Sequence, residues 1–152
     1  MLRGRCGCGA VTYQMKSEPM IVHCCHCTDC QRQTGSAYVL NALIEAERVE
    51  VDGSTTEHML ETPSGKGQII TRCKKCGTAI YSSYQIRLGK VRYVRVGTLD
   101  DPSKCPPDVQ IFTSSKQPWV PLSDNIPRYE EYYKFDEVWS AKSLARFKAV
   151  FG

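Results

Sequence analysis

Short β-prone runs, separated by turn residues, dominate the hydrophobic pattern of the chain. In the first of these runs, apolar and polar residues alternate from Val11 to Met15, as in a strand with one buried face. Gly, Pro, Ser and Asp punctuate the runs, which is typical of strands joined by tight turns. We expect strands within residues 10–15, 20–25, 36–44, 48–53, 56–62, 68–73, 79–84 and 90–97. The pattern predicts a mainly β protein.

Helical signals are few and lie in two places. Thr28 is suited to cap a short helix that Gly35 would end. Near the C-terminus, Asp136 is a candidate N-cap, and apolar residues follow it at roughly helical spacing. These apolar residues are Val138, Trp139, Leu144, Phe147 and Phe151. We predict a β domain at residues 1–135 and a packed helical extension at residues 136–152, with partner binding as the alternative role of the helix.

Length and hydropathy favour one globular unit away from membranes. A chain of 152 residues can bury one sizeable core. It has no run of about 18 apolar residues, and its N-terminus lacks the apolar stretch of a secretory signal. We therefore expect a cytoplasmic protein that does not enter the membrane. In a reducing compartment clustered thiols bind metal more often than they form disulfides, so the nine cysteines are candidate metal ligands.

Two distant cysteine pairs have metal-ligand spacing. Residues i and i+2 of an extended chain face the same side, so Cys6 and Cys8 can bind one ion. Cys73 and Cys76 form a C-x-x-C turn followed by Gly77, which is typical of zinc knuckles. Four thiolates complete a tetrahedron and leave no position for substrate. We predict a structural zinc site that joins two distant parts of the chain.

A second cluster offers three ligands. Cys25 and Cys27 are two residues apart, and Cys30 follows at C-x-x-C spacing. Three protein ligands are typical of a catalytic zinc, which keeps its fourth position for water or substrate. Cys24 points to the opposite face of an extended chain and is better placed as a buried core residue. Cys24, His26 or a distant group could instead close the site and make it structural, and this alternative stays open.

The remaining histidines and the net charge add little. His23, His58 and Cys105 lack metal-like spacing, while His26 between two ligands is a candidate substrate contact. The formal charge of +4 falls to about +1 when seven cysteine thiolates bind two zinc ions. The chain has no Lys/Arg cluster, so we expect no nucleic-acid partner.

The ligand type favours a thiol substrate at the three-cysteine site. Three thiolates give a zinc centre a formal charge of −1, so it activates water less well than a site of neutral histidines. A soft thiol is a better ligand for such a centre. Zinc would hold the thiol as its nucleophilic thiolate at neutral pH.

The motifs together resemble those of the glutathione-dependent formaldehyde-activating enzyme family, which includes centromere protein V. Five segments occur in order over roughly residues 2–132: "GRCGCGAVTY", "CHCTDCQRQTGSA", "TRCKKCGTAIY", "VGTLDDP" and "IFTSSKQPWVPL". The resemblance implies a β-tent fold, similar to that of Rab-exchange-factor-like and methionine sulfoxide reductase B proteins. It also implies structural zinc at Cys6, Cys8, Cys73 and Cys76, and catalytic zinc at Cys25, Cys27 and Cys30.

The activity implied by this resemblance joins formaldehyde to glutathione and is classed as carbon–sulfur lyase for the reverse direction. The partner would be glutathione or a related small thiol. Arg32 and Lys116 lie in or beside family-like segments and are candidates to bind glutathione carboxylates, whereas Trp119 is expected in the core. Two other functions stay open: a zinc-stabilised module that binds a protein partner, and a chromatin-associated protein.

Overall fold

Two β-sheets form most of the computed structural model, which describes residues 1–152. The strands are β1 (Leu2–Arg5), β2 (Thr12–Met15), β3 (Ile21–Cys25), β4 (Val39–Glu45), β5 (Val49–Asp52), β6 (Thr55–Leu60), β7 (Gln68–Cys73), β8 (Ala79–Tyr84), β9 (Val91–Arg95) and β10 (Val109–Ile111). One sheet has the order β1-β2-β5 and the other β10-β3-β4-β9-β8-β7-β6. Neighbouring strands are antiparallel except β10, which runs parallel to β3. The mainly β, β-tent prediction is confirmed.

Each of the eight runs expected to be extended overlaps a strand. The pattern does not predict β1 or β10. The only bulky apolar residue of β1 is Leu2. Position 4 requires glycine, because a Cβ there would lie 2.4 Å from the Tyr13 ring. β10 has only three residues, which is too short for its alternation to predict a strand.

The helices are α1 (Thr28–Thr34), α2 (Phe135–Val138) and α3 (Ala141–Phe151). None of them has the length and apolar character that crossing a membrane requires. Gly35 ends α1 in the left-handed conformation with φ of 66°, as expected. The cap at the other end is Cys27 and not Thr28, because the Cys27 sulfur accepts a hydrogen bond from the Cys30 N–H.

The predicted C-terminal helix is confirmed as α3, but its cap is not Asp136, since that residue lies inside the separate short helix α2. Trp139 takes an extended conformation between them, with its indole buried and donating to the Tyr133 hydroxyl at 2.6 Å. Ser140 then caps α3 by accepting a hydrogen bond from the Ser143 N–H. Burial of the indole therefore interrupts the helical spacing.

The seven-stranded sheet separates two cores. The first core lies between the sheets and contains Leu2, Cys6, Val11, Tyr13, Met15, Val22, Ala42, Ile44, Val49, Cys73, Ile80, Val94, Val96, Leu99 and Cys105. The second core lies on the other face, under the C-terminal helices, and contains Met20, Ile21, Cys25, Cys30, Val39, Leu43, Val91, Val109, Ile111, Tyr133 and Trp139. Each predicted metal cluster therefore contributes cysteines to a different core.

An ion pair fastens α3 to the end of β4. Arg146 donates to both carboxylate oxygens of Glu45, at 2.8 and 2.6 Å, and the Glu45 side chain is 5% exposed. Burial alone would raise the pKa of Glu45, but the hydrogen bonds and charge of Arg146 outweigh burial and the pKa is lowered. A carboxyl with a lowered pKa stabilises the fold above its ordinary pKa and loses that contribution as the pH falls.

Arg146→Met should lower the free energy of unfolding by about 3 kcal/mol at neutral pH, because Glu45 would stay buried without its main partner. The difference from the wild type should shrink as the pH falls towards the pKa of Glu45. Urea unfolding at several pH values measures both effects. Lys148→Met, an exposed change on the same helix, should cost within about 0.5 kcal/mol. Equal losses in the two variants would contradict a stabilising role for the ion pair.

Candidate metal centres and thiol site

The four-cysteine cluster of Cys6, Cys8, Cys73 and Cys76 forms where the two sheets meet. Cys6 and Cys8 follow β1, Cys73 ends β7, and Cys76 lies in the turn before β8. All four sulfur atoms lie within 4.8 Å of one another. Residues nearly seventy positions apart are thus brought together, in the grouping that the spacing predicts.

Hydrogen bonds to sulfur indicate that this cluster suits thiolates. The Val11 N–H donates to the Cys6 sulfur at 3.3 Å, and the Cys76 N–H lies 3.5 Å from the Cys73 sulfur. Hydrogen bonds from Thr78, first from its hydroxyl, lower the pKa of Cys76 to about 5. Donors that favour the charged form prepare a cysteine to bind a metal cation.

The three-cysteine cluster of Cys25, Cys27 and Cys30 is built by the end of β3 and the start of α1. Its sulfur atoms also lie within 4.8 Å of one another, and no fourth His, Cys, Asp or Glu ligand atom joins them. Cys24 is buried on the other face, where its sulfur lies 3.5 Å from the His26 Nε2 atom. Neither candidate for a fourth ligand therefore belongs to the cluster.

The electrostatic repulsion within the three-cysteine cluster favours the binding of a cation. Hydrogen bonds from the Cys25 and Cys30 thiols lower the pKa of Cys27. The contact between Cys25 and Cys27 raises the pKa of Cys25. Three thiolates this close repel one another strongly unless a positive ion lies among them. A divalent soft-metal ion such as zinc fits this donor set.

A buried arginine adds positive charge behind the three-cysteine cluster. Arg95 is 6% exposed and forms no ion pair with a carboxylate. Its guanidinium donates to Asn41 and to Gln33, while its Nε atom has no partner. Burial lowers the pKa of Arg95, and the negative charge of Cys30 acts in the opposite direction. Arg95 therefore offsets part of the charge of the thiolates.

The three-cysteine cluster opens onto a cavity of about 580 Å³. Aromatic residues contribute much of the wall and are Tyr84, Tyr93, Phe112 and Tyr132. The charged lining residues are Asp29, Arg87 and Glu131. A pocket that combines aromatic and apolar walls with polar groups beside a reactive centre suits a small-molecule ligand.

Comparison with known proteins identifies the family. The family described as glutathione-dependent formaldehyde-activating enzyme matches residues 1–115. The chain belongs to this family. A crystal structure of a Rhodobacter sphaeroides protein is similar over 84% of this chain and 99% of that one, with 16% sequence identity and a TM-score of 0.49. A likeness of this size carries no functional information.

The family match ends within the segment 111–122, so the second half of "IFTSSKQPWVPL" and the whole C-terminal region lie beyond it. We define the C-terminal segment as residues 128–151. Glu131 and Tyr132 of this segment line the cavity, and Tyr133 and Trp139 belong to the second core beside it. The site thus includes residues that the family match does not cover.

The substrate contacts proposed from the sequence do not line the cavity. Arg32 is exposed on α1, and the Lys116 amine donates to the Gln117 carbonyl at 3.2 Å. His26 has 0% exposure and lies 3.3 Å from the Gln110 side-chain oxygen. The geometry gives these three predictions no support. Trp119 was expected in the core, but this prediction is wrong, because 73% of the residue is exposed.

Sequence reasoning missed His23 as a cavity residue. The i, i+2 alternation of β3 puts His23 on the same face as Cys25, so a signal was available. Trp139 donates to the Tyr133 hydroxyl, which in turn lies 2.6 Å from the His23 Nε2 atom. Since an indole can only donate, the Tyr133 hydroxyl is left to donate to His23, whose proton then lies on Nδ1. Burial lowers the pKa of His23 to about 3, so the ring is neutral.

Proposed function

We propose that this chain is a zinc-dependent enzyme that joins the thiol of glutathione, or of a related compound, to formaldehyde. The reverse direction is a carbon–sulfur lyase reaction. The observation that carries the proposal is a cluster of three cysteines that faces a cavity and has no fourth ligand atom beside it. Membership in the glutathione-dependent formaldehyde-activating family supports the same reaction.

The two cysteine clusters receive different roles in this proposal. Cys6, Cys8, Cys73 and Cys76 would hold a structural zinc ion, and Cys25, Cys27 and Cys30 a catalytic one. When bound at the three-cysteine cluster, zinc supplies one kind of chemistry, since it keeps a substrate thiol deprotonated at neutral pH. The Cys30 N–H supports this arrangement by donating to the Cys27 sulfur at 3.3 Å.

The reaction forms one carbon–sulfur bond, removes the thiol proton and adds a proton to the aldehyde oxygen. The thiol loses its proton to water, and its sulfur supplies the electron pair of the new carbon–sulfur bond. The carbonyl π pair moves onto the aldehyde oxygen, which takes a proton from water, and the product carries an S–CH₂–OH group. The protein would contribute mainly position, because the cavity lies next to the three sulfur atoms and would bring both reactants together there.

Location and domain division belong to the same proposal. A small-molecule thiol as partner and a cytoplasmic location both fit the reaction. The division into a zinc-binding domain at residues 1–135 and an extension at residues 136–152 stays a prediction. Residues of α2 and α3 pack against the second core, so the extension would act together with the domain.

Metal analysis, calorimetric titration and an activity assay test the proposal. We expect two zinc ions per chain, heat exchange when glutathione is titrated into the protein, and formation of S-hydroxymethylglutathione above the rate in buffer alone, followed by NMR. The buffer rate is the essential control, because thiols add to formaldehyde without catalysis. Two zinc ions with neither binding nor acceleration would reject the glutathione reaction and favour a zinc-stabilised module that binds a protein partner.

A further inference from the structure

The lining of the cavity beside the three-cysteine cluster contains one permanently cationic side chain. Arg87 lines the same cavity as the three cysteines and forms no ion pair with a carboxylate of the protein. The other charged lining residues, Asp29 and Glu131, are both acidic. An arginine in a cavity without a carboxylate partner from the chain is a natural site for the carboxylate of a ligand.

The C-terminal segment holds Arg87 in place. The Cζ atom of Arg87 lies 5.4 Å from the ring centre of Phe135 in α2 and 5.0 Å from that of Phe147 in α3. These cation–π contacts stabilise the guanidinium without using its hydrogen-bond donors. The two rings also pack edge to face, with centres 5.1 Å apart. The Tyr93 hydroxyl accepts from Arg87, and the other donors of the five on a guanidinium stay available to a ligand.

The backbone next to Arg87 is strained. Leu88 has φ of 54°, in the left-handed region that residues with a side chain rarely adopt. It follows directly on the short 3-10 turn Gln85–Arg87. Such a conformation persists only where the surrounding structure determines it, and it is frequent at binding sites. Backbone hydrogen bonds from the Leu88 N–H to the Gln85 carbonyl, at 2.9 Å, and from the Lys90 N–H to the Arg87 carbonyl, at 3.0 Å, hold this turn in place at the cavity.

We propose that Arg87 binds a carboxylate of the thiol substrate, and that α2 and α3 position its guanidinium. The substrate class is then a small thiol, or its aldehyde adduct, with a carboxylate remote from the sulfur. This inference rests on the proposed function for the thiol end of the substrate. It assigns a specificity role to helices that lie outside the family match.

Calorimetric titration with three probes tests the proposal. Glutathione has both carboxylates and a thiol, S-methylglutathione keeps the carboxylates but cannot form a thiolate, and 2-mercaptoethanol has a thiol only. Arg87→Gln should weaken binding of the first two probes about 10- to 100-fold and leave 2-mercaptoethanol unchanged. Arg87→Lys keeps the charge but loses the planar fork, so its effect should be smaller.

Matched variants separate the binding role from folding. Arg32→Gln removes an exposed arginine outside the cavity and should change none of the three affinities. Phe147→Leu removes one stacked ring and should weaken the two carboxylate probes about 3- to 10-fold while sparing 2-mercaptoethanol. Melting curves confirm that each variant is folded.

The outcomes distinguish the two proposals. If thiols bind but Arg87→Gln behaves like Arg32→Gln, the role of Arg87 is rejected and the zinc–thiol reaction stands. If S-methylglutathione binds in an Arg87-dependent manner while glutathione binds no better and no thiol adduct forms, the role of Arg87 stands and the proposed reaction is rejected. If none of the three probes binds the wild type at millimolar concentrations, both are overturned.

Discussion

Cys73→Ser should lower the melting temperature by more than about 10 °C and remove one of the two metal ions expected per chain. Cys73 is 1% exposed, ends β7 and lies in the core between the two sheets. Its cluster partners Cys6 and Cys8 follow β1 of the other sheet. Loss of this site would therefore remove a link between the two sheets as well as a metal ion.

The size of the effect follows from the energy of structural zinc. Such ions bind with about 10–16 kcal/mol in small zinc-dependent domains, as much as the whole stability of a typical fold. For a chain of this length each kcal/mol shifts the melting temperature by about 2–4 °C, so a shift of about 10 °C corresponds to about 2.5–5 kcal/mol, well within the binding energy of the ion. Differential scanning calorimetry and metal analysis measure the two quantities on the same sample.

Cys105→Ser is the matched control for this prediction. Cys105 lies in the same core at 2% exposure but belongs to neither cysteine cluster. Its replacement introduces a buried hydroxyl and should cost about 1–2 kcal/mol while both metal ions stay bound. If the Cys73 variant matched this control in melting temperature and metal content, the four-cysteine cluster would not be a structural metal site.

The cysteine motifs were accessible from sequence because the geometry within each motif is local, and the two distant pairs were joined because four thiolates complete a tetrahedron. Cysteines two residues apart on an extended chain share a face, and a C-x-x-C turn brings two sulfur atoms together wherever it occurs. The spacing therefore predicts Cys25, Cys27 and Cys30 as a group before any fold is known, and the structure brings their sulfur atoms within 4.8 Å.

The cavity wall was not accessible in the same way because it depends on distant packing. Arg87 reaches the cavity from a turn after β8 and is held by rings of α2 and α3. No local pattern links these elements, since the break at Trp139 depends on burial of the indole and on its bond to Tyr133. Arg32 was the more obvious choice on sequence because it lies near the cysteines, yet it is exposed and does not line the cavity.

Cys27→Ser should keep the fold and abolish the reaction. Cys27 caps α1 through its sulfur, and serine is a preferred cap that can accept the same hydrogen bond from the Cys30 N–H. The cap survives, but a neutral hydroxyl replaces a thiolate ligand. We expect a change in stability below about 1 kcal/mol, one metal ion per chain in place of two, and at least about 100-fold less catalysed formation of S-hydroxymethylglutathione.

Cys24→Ser provides the comparison, since this neighbouring cysteine is buried outside the cluster. It should retain two metal ions and the catalysed rate while losing about 1–2 kcal/mol of stability, the reverse of the pattern for Cys27. The two variants thus separate ligand loss from damage to β3. A Cys27 variant that kept the wild-type rate with only one metal ion would place the reaction outside the three-cysteine cluster.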